Sequence, residues 1–499
     1  MKKTIILLLA SAGIVLSGCG KDFLERYPYG QWHSENFEGE EVPYNILIEG
    51  ELAQAYAAQH SYDFNASAPC LHCISTDDAD KGSTASDLSW AMVIDAHTWD
   101  ASASVVKQYY NAWYNVITYC NRTIGYADAA TQFDETIPQE DVDNFKAQAL
   151  TMRAHAYFRL VQAFGDVPYV DKELEQTEKT PPRTPYTQIY SNIINDLNWA
   201  VPHLKTRREL VESGNTGRVS QNSARAVLAK IYMYQKDWNM SLNVCREIIE
   251  SGDNDLSTPF DEIWTEKYEY GPESIYELDV DSKPSLSITS AGNLQWASIQ
   301  GFRGQPNCGW GLNGPSELLR TDMAGDPRYK ATVLSDGEVR DGVTFQSAQV
   351  PNPYYNAKVY APLYEQQMYN RNNPNAKWLN IRLIRYSDIV LMYAEAANEL
   401  GMTTEALAKL EMVRARARGN DPDALPEITE TDQDRLRELI HTERRFELAM
   451  EFERYFDLIR WGEAEEKITG FIKNKQELFP IPQSEIDASN GILTQNPGY

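Results

Sequence analysis

After its first 18 residues, the chain lacks any apolar run long enough to cross a bilayer. It is also poor in positive charge, with 46 lysines and arginines against 72 aspartates and glutamates and a formal net charge of −26. Nucleic acid and anionic lipid both repel so acidic a chain, which disfavours them as partners. The composition favours a secreted, surface-exposed body.

The N-terminus has the pattern of a bacterial secretion signal. Lys2 and Lys3 precede the apolar stretch "TIILLLASAGIVL", and two small residues then lead to Cys19. This arrangement resembles the lipobox of bacterial lipoproteins, in which the signal is cut before a cysteine that carries the lipid. We expect residues 1–18 to be removed and the mature chain, 19–499, to be anchored by acyl chains worth about 0.8 kcal/mol per buried methylene. An ordinary signal with an incidental cysteine is the alternative.

The other five cysteines are an odd number, so they do not imply a complete disulfide framework. The segment "CLHC" at 70–73 allows a local disulfide, two packed thiols or half of a zinc site. A structural zinc needs four ligands, and the sequence has no second close pair of Cys or His. We therefore expect no metal and no cofactor.

Helical periodicity is clearest at 222–236, "NSARAVLAKIYMYQK", which is followed by a second amphipathic segment, "MSLNVCREIIE". One stripe of the first helix carries four apolar residues: Ala224, Val227, Leu228 and Ile231. Two antiparallel helices are therefore predicted over about 222–251.

A twelve-residue spacing of small residues occurs twice, as Ala229 with Ser241 and as Ala394 with Ala406. Small residues at this spacing let paired helices approach closely, as in tetratricopeptide repeats. Weaker matches lie at 104–163 and 186–202. The sequence thus predicts a mainly α fold with about four tetratricopeptide-like helix pairs forming a superhelical scaffold, over about 40–60, 104–251 and 384–465.

Two regions, about 61–103 and 252–383, interrupt this scaffold. Gly, Pro, Asn and Ser become frequent there, and short strand-like runs such as "SIYELDV" separate long loops. Both regions keep aromatic residues, so we interpret them as insertions rather than linkers. Loops held by a rigid scaffold are where binding residues concentrate, which predicts an irregular, loop-rich ligand-binding face.

A charge-rich helix is predicted over 441–461. It carries three glutamates at i+4 spacing and three interleaved arginines, Glu443, Glu447, Glu451, Arg444, Arg445 and Arg454. Paired carboxylates can cleave glycosides, but they must then face each other across a substrate. We favour a structural network in which these guanidinium groups pair with these carboxylates.

Seven segments in order resemble the SusD/RagB family of surface lipoproteins. They are "CGKDFLE" (19–25), "AQALTMRAHAYFRLVQAFGDVPYV" (147–170), "YTQIYSNIINDLNWAVPHL" (186–204), "GRVSQNSARAVLAKIYMY" (217–234), "IRYSDIVLMYAEAANEL" (384–400), the helix at 441–461, and "FPIPQSEIDASN" with the terminal "QNPGY". The resemblance is weakest at 61–103 and 252–350.

The resemblance implies a single domain with four tetratricopeptide-like pairs and a variable, loop-rich face. It implies a protein on the outer leaflet of the outer membrane that caps a SusC-like TonB-dependent transporter. Members of the family capture oligosaccharides, or sometimes peptides, and have no catalytic apparatus. The absence of a nucleophile motif or a phosphate-binding glycine loop in this sequence agrees with that.

A sugar site needs flat aromatic platforms together with polar groups that pair the hydroxyls. The two insertions supply such residues. The candidates are Tyr62, Asp77, Asp78, Asp80, Trp90 and Trp99 from the first insertion, and Trp296, Arg303, Asn307 and Trp310 from the second. Trp90 and Trp296 are the preferred platforms.

Several alternatives stay open at this point. The aspartates at 77–80 are also typical of a solvated acidic loop, and their spacing misses a calcium loop. Trp310 could belong to the core, and Trp99 could pack on the helix that starts near 104. The ligand could be a peptide rather than a glycan. A surface glycosidase or a pure interaction scaffold are the rival functions.

Overall fold

The structure is a computed structural model that describes residues 44–174, 180–279, 296–362 and 379–499. The predicted signal and Cys19 lie outside the described residues. The helices of the described residues are α1 (Tyr44–Ala58), α2 (Tyr62–Pro69), α3 (Met92–Asp95), α4 (Ser104–Phe133), α5 (Gln139–Phe164), α6 (Tyr186–Ala200), α7 (Arg207–Glu212), α8 (Gln221–Tyr234), α9 (Trp238–Ser251), α10 (Trp296–Gln300), α11 (Glu317–Asp322), α12 (Tyr329–Thr332), α13 (Tyr386–Glu399), α14 (Thr403–Arg418), α15 (Gln433–Glu447), α16 (Arg454–Trp461), α17 (Ala464–Lys467) and α18 (Gln483–Ala488). Within these ranges, no helix combines the length and apolar character needed to span a bilayer.

The long helices pack as antiparallel neighbours in chain order, and the mainly helical, tetratricopeptide-like prediction is confirmed. In the pair α8–α9, the Ser241 hydroxyl donates to the carbonyl of Ala229 at 3.1 Å, which only a small residue at each position allows. The other predicted pair, Ala394 and Ala406, joins α13 to α14 and is fully buried.

The start of each helix in the α8–α9 pair is set by its capping residue. The Ser220 hydroxyl accepts from the backbone N–H of Ser223 at the start of α8, and the Asp237 carboxylate accepts from Met240 at the start of α9. All four residues of the predicted apolar stripe are buried: Ala224, Val227, Leu228 and Ile231. The stripe therefore faces the main core as its spacing predicts.

The helix predicted over 441–461 is broken, which corrects the sequence-based expectation. Helix α15 ends at Glu447, Met450 adopts a φ of 64°, and α16 begins only at Arg454. In a continuous helix the Glu447 carbonyl would accept from the N–H of residue 451. Here it accepts instead from Arg385 at 3.0 Å and from Lys358 at 3.1 Å, so side chains from distant elements replace the helical bond.

The strands are short and form antiparallel pairs. They are β1 (Ala79–Gly82), β2 (Val167–Pro168), β3 (Arg183–Thr184), β4 (Ser274–Leu278), β5 (Gly304–Gln305), β6 (Leu312–Pro315), β7 (Val333–Ser335), β8 (Val339–Arg340), β9 (Val343–Thr344), β10 (Gln346–Ser347), β11 (Tyr354–Asn356) and β12 (Ile381–Arg385). The strand predicted in "SIYELDV" is β4, and it pairs with β12.

The pairing of β1 with β6 joins the two insertions. Gly82 lies opposite Leu312, and Asp80 lies opposite Gly314. At Gly82 the φ is +71°, and an added Cβ would lie 2.3 Å from the carbonyl oxygen of Gly311. Glycine is therefore required where the two loops cross.

The first insertion is less irregular than its composition predicts. Helix α2 continues into a buried π-helical turn at Cys70–Ile74, the "CLHC" segment. Cys70 and Cys73 are free, buried thiols, and the Cys73 thiol donates to the carbonyl of Glu451 at 2.9 Å. Across the described part of the chain, no group of His, Cys, Asp and Glu is arranged to hold a metal ion.

Candidate ligand-binding site

The two insertions meet at a pair of turns that flank the β1–β6 pairing. We call the six polar and aromatic residues of these turns the loop face: Ser83, Asp87, Trp90, Arg303, Asn307 and Trp310. The Arg303 guanidinium joins the turns, because it donates to the Ser83 hydroxyl at 2.9 Å and pairs with the Asp87 carboxylate. The two charged side chains remain 34% and 37% exposed, so this ion pair lies at the surface.

Two tryptophans of the loop face are half-buried and pack with one part of each ring against the main core. Trp90 lies in the 3₁₀ turn Ser89–Ala91. Trp310 is held by its backbone N–H, which donates to the Ser298 carbonyl at 2.8 Å. Both rings thus keep part of their surface exposed, in the same two turns as the Arg303–Asp87 pair and the exposed Asn307.

The turn that carries Trp310 depends on a close approach of two backbone segments. A Cβ on Gly309 would lie 2.5 Å from the Cα of Gly301 and 2.5 Å from the carbonyl oxygen of Ser298. The Gly311 N–H also donates to the Gly301 carbonyl at 3.0 Å. The glycines of the segment "CGWG" thus set the position of the tryptophan.

The charge state of the loop face follows from its hydrogen bonds. Burial would raise the pKa of Asp87, but a hydrogen bond from Ser83 and the nearby Arg303 guanidinium outweigh it and hold the pKa below its ordinary value. Asp87 is therefore a carboxylate at neutral pH, and it neutralises the guanidinium beside it.

Two predicted aromatic platforms are wrong because the structure encloses their rings. Trp296 is only 8% exposed and stacks on Phe452, with ring centroids 5.1 Å apart, and on Phe64 at 6.3 Å. Trp99 is 2% exposed, and its indole N–H donates to the Tyr499 hydroxyl at 2.8 Å. Rings covered by other side chains offer no face on which a sugar could stack.

The predictions for Asp77 and Asp78 are also corrected. Their side chains are only 3% and 1% exposed, so they form neither a solvated loop nor part of an open site. Asp77 pairs with Arg454 at 2.6 Å, and Asp78 pairs with Arg445 at 2.7 Å. Tyr62 begins α2, and its side chain lies outside the described residues.

The structure places several residues near the two turns that the sequence did not single out. Ser83 and Asp87 are ordinary turn residues in the sequence, and their pairing with Arg303 becomes visible only through the β1–β6 register. Asp80, which the sequence did predict as a candidate, lies in strand β1, and its carboxylate accepts from the Asn352 amide at 2.8 Å. The Arg320 guanidinium carbon lies 3.5 Å from the ring centroid of Tyr354.

A second cleft, of about 400 Å³, lies elsewhere in the larger insertion and is lined by Trp264, Lys330, Glu338, Arg340, Asp341 and Tyr360, among others. Its tryptophan is 8% exposed, and the Lys358 ammonium lies 4.5 Å from its ring centroid. The Tyr360 hydroxyl donates to Asp341 at 2.7 Å. This cleft therefore offers less open aromatic surface than the loop face.

The three glutamates of the 441–461 segment are held in a structural network. They pair with cations from other elements: Glu443 with Arg328 and Arg414, Glu447 with Arg328, Arg385 and Arg416, and Glu451 with Lys358 and Arg385. The interleaved arginines pair instead with aspartates and with Glu453, which corrects the expected pairing. Burial would raise the pKa of Glu447, but the surrounding guanidinium groups hold it well below its ordinary value.

Two sequence models of one family match most of the chain. The model described as the SusD family matches residues 313–478, and the model described as starch-binding and associating with outer membrane matches residues 22–233. SusD-like protein P2 of Formosa agariphila is 26% identical over an alignment of 499 positions, which covers 94% of this chain and 90% of the relative.

Solved structures share the same fold. A laminarin-binding SusD-like protein superposes with a TM-score of 0.75 at 24% identity, over 91% of this chain and 99% of that one. Surface glycan-binding protein A of Bacteroides thetaiotaomicron, solved in complex with laminarihexaose, gives a TM-score of 0.75 at 23% identity, over 90% and 98% of the two chains. The two matched models lie in order on one helical fold that these relatives share, and the chain belongs to the SusD/RagB family.

Proposed function

We propose that this protein binds oligosaccharide or polysaccharide at the loop face. The observation that carries the proposal is the pair of half-buried tryptophans, Trp90 and Trp310, in the same turns as the Arg303–Asp87 ion pair and Asn307. Sugar rings present C–H faces that stack on aromatic rings and hydroxyls that pair with carboxylate, amide and guanidinium groups. Family members that share this fold and bind laminarin or laminarihexaose support the same ligand class here.

The protein acts in nutrient capture at the outer membrane. Lipid on Cys19 holds the body at the cell surface, facing outward, and the captured glycan passes to a SusC-like TonB-dependent transporter. Tethering a binder beside its transporter raises the local concentration of ligand without any additional contact. The lipobox pattern at 16–19 and the outer-membrane description of the family model that matches 22–233 support this part of the proposal.

The protein captures its ligand without cleaving it. Glycoside hydrolysis needs two carboxyl groups that face a substrate, one of them free to give up a proton. The glutamates at 443 and 447, with 2% and 0% side-chain exposure, are instead paired with arginines. Their use in a buried network supports a binding role for the chain.

The test is calorimetric titration of the chain without residues 1–19 against plant, host and microbial oligosaccharides, with peptides included and products analysed by chromatography. Binding of one glycan class in the micromolar to millimolar range, with the glycan recovered intact, is the expected result. Released product would establish a glycosidase instead. Binding of peptides alone would move the protein to the peptide-binding members of the family.

A further inference from the structure

We infer that the loop face selects uncharged glycans and discriminates against glycans that carry carboxylate or sulfate groups. This inference rests on the proposed function and names its substrate class. An anionic sugar needs a cation whose charge is not already neutralised. Neither cation of the two turns, Arg303 or Lys81, is open to an anionic sugar, as the contacts of each show.

The charge of the Arg303 guanidinium is already neutralised by the Asp87 carboxylate. Its Nη1 atom donates to the Ser83 hydroxyl at 2.9 Å, pairs with Asp87, and lies 3.5 Å from the Trp310 carbonyl oxygen. A ligand carboxylate that approached this guanidinium would meet the Asp87 charge at the same place. Two like charges a few ångströms apart repel each other, and such repulsion is a common device for rejecting the wrong ligand.

The second cation of these turns points inward. Lys81 is only 4% exposed, and its ammonium donates to the carbonyls of Thr84 at 2.8 Å and Gly82 at 3.3 Å. Between 81 and 90 and between 303 and 310, the sequence contains no other lysine or arginine. Lys81 is therefore enclosed and Arg303 is neutralised, so neither offers an open positive charge to an anionic ligand.

Among the described residues, a further cation lies near Asp80 of strand β1, and acidic side chains share its surroundings. The Arg320 guanidinium lies 3.5 Å from the ring centroid of Tyr354, and Asp80 and Glu317 are the carboxylates of the same neighbourhood. The net charge of −26 adds a repulsive field over longer distances. Neutral sugars lose nothing to either effect, because they carry no charge.

The experiment compares matched ligands on the full-length chain purified in detergent. The probes are neutral hexaoses of glucose, mannose and xylose, and hexauronates of galacturonate, glucuronate and mannuronate, titrated at low and at physiological salt. We expect binding within the neutral set, at least tenfold weaker binding of every uronate, and a neutral affinity that changes less than twofold with salt.

A charge variant tests the cause. Asp87→Asn leaves the Arg303 guanidinium unneutralised, and we expect the ratio of uronate to neutral affinity to rise at least threefold. Asp100→Asn is the matched control, because Asp100 is an exposed acid of the same insertion that accepts hydrogen bonds from Ser102 and forms no ion pair among the described residues. It removes the same charge and should leave the ratio unchanged.

The outcomes separate this inference from the function on which it rests. Uronate binding as tight as neutral binding, or a ratio that Asp87→Asn does not move, overturns the inference and leaves glycan capture in place. If neither the neutral nor the uronate oligosaccharides bind while peptides do, both glycan capture and the inference are overturned.

Discussion

An arginine paired with a carboxylate occurs in two regions of this protein, and the pair has a different role in each. In the buried network around Glu443, Glu447 and Glu451, the side chains of Arg385 and Glu447 are 1% and 0% exposed, and their charged atoms lie 3.0 Å apart. At the loop face the side chains of Arg303 and Asp87 are 34% and 37% exposed. The buried pair can act only on the protein, whereas the exposed pair can also act on a ligand.

Burial changes the cost of breaking a pair. A buried ion that loses its partner stays desolvated, whereas an exposed ion recovers water. The buried network joins strand β12 and helices α14 and α15, so its partners fix how these elements pack. The exposed pair holds only two turns. The comparison therefore predicts large losses of stability for changes in the buried network and smaller effects, mainly on binding, for changes at the loop face.

The largest effect is expected for Glu447→Ala. This change removes the one carboxylate with which the guanidinium groups of Arg328, Arg385 and Arg416 all pair among the described residues. We expect the free energy of unfolding to fall by about 3–5 kcal/mol in denaturant titrations. The control is Glu466→Ala, which breaks an exposed pair with Lys467 and should cost less than about 1 kcal/mol. Equal losses for the two variants would contradict the comparison.

The next largest effect is expected from acid on a second buried ion pair, Glu395 of helix α13 with Arg460 of helix α16. Burial would raise the pKa of Glu395, but Arg460 outweighs it and lowers the pKa from 4.5 to about 2. A lowered carboxyl pKa stabilises the fold above the unfolded value of 4.5, and this contribution disappears as the pH falls from 4.5 toward 2. The contribution is about 3 kcal/mol, because one pKa unit corresponds to about 1.4 kcal/mol.

The measurement is the free energy of unfolding as a function of pH for the wild type and Glu395→Gln. The variant should be less stable at neutral pH and should lose less stability between pH 4.5 and 2. Glu466→Gln, which changes an exposed carboxylate, should keep the acid limb of the wild-type curve. If Glu395→Gln loses as much stability as the wild type between pH 4.5 and 2, groups other than Glu395 govern the pH dependence of unfolding.

A smaller effect, measured on binding, is expected for Trp90→Ala and Trp310→Ala. Each removes a half-buried ring, and the affinity for the bound oligosaccharide should fall about tenfold, or about 1.4 kcal/mol, in calorimetric titrations. Tyr186→Ala is the matched control, because Tyr186 is 48% exposed on helix α6 of the scaffold. A loss of affinity for the control and none for the tryptophans would place the ligand on the scaffold.

The smallest effect is expected for the stability of Arg303→Ala. A half-exposed ion pair contributes at most about 1 kcal/mol to folding. Thermal or denaturant unfolding should therefore show a change below that value. A loss as large as that of Glu447→Ala would mean that the loop face is itself a structural network.

The scaffold could be predicted from the sequence because its signals are local. The twelve-residue spacing of Ala229 and Ser241 places both on the contact between two consecutive helices, whatever the rest of the chain does. The break after Glu447 could not be predicted in the same way. It depends on Arg385 and Lys358, which come from strands and turns far away in the chain.

The candidate site was only partly predictable for the same reason. Trp90 and Trp296 look equivalent in the sequence, since each lies in an irregular, polar region. The structure buries one of them because Phe64 and Phe452 meet at its ring. Asp78 likewise acquires its partner, Arg445, from a residue 367 positions away, which no local pattern could reveal.

The most direct test of glycan capture at the loop face is amide hydrogen exchange with and without the oligosaccharide that binds in the titrations. We predict slowed exchange in segments 83–91 and 301–311 and unchanged exchange in helices α6 and α8. Protection confined to those two helices, or to the cleft lined by Trp264 and Tyr360, would contradict the assignment of the site to the loop face.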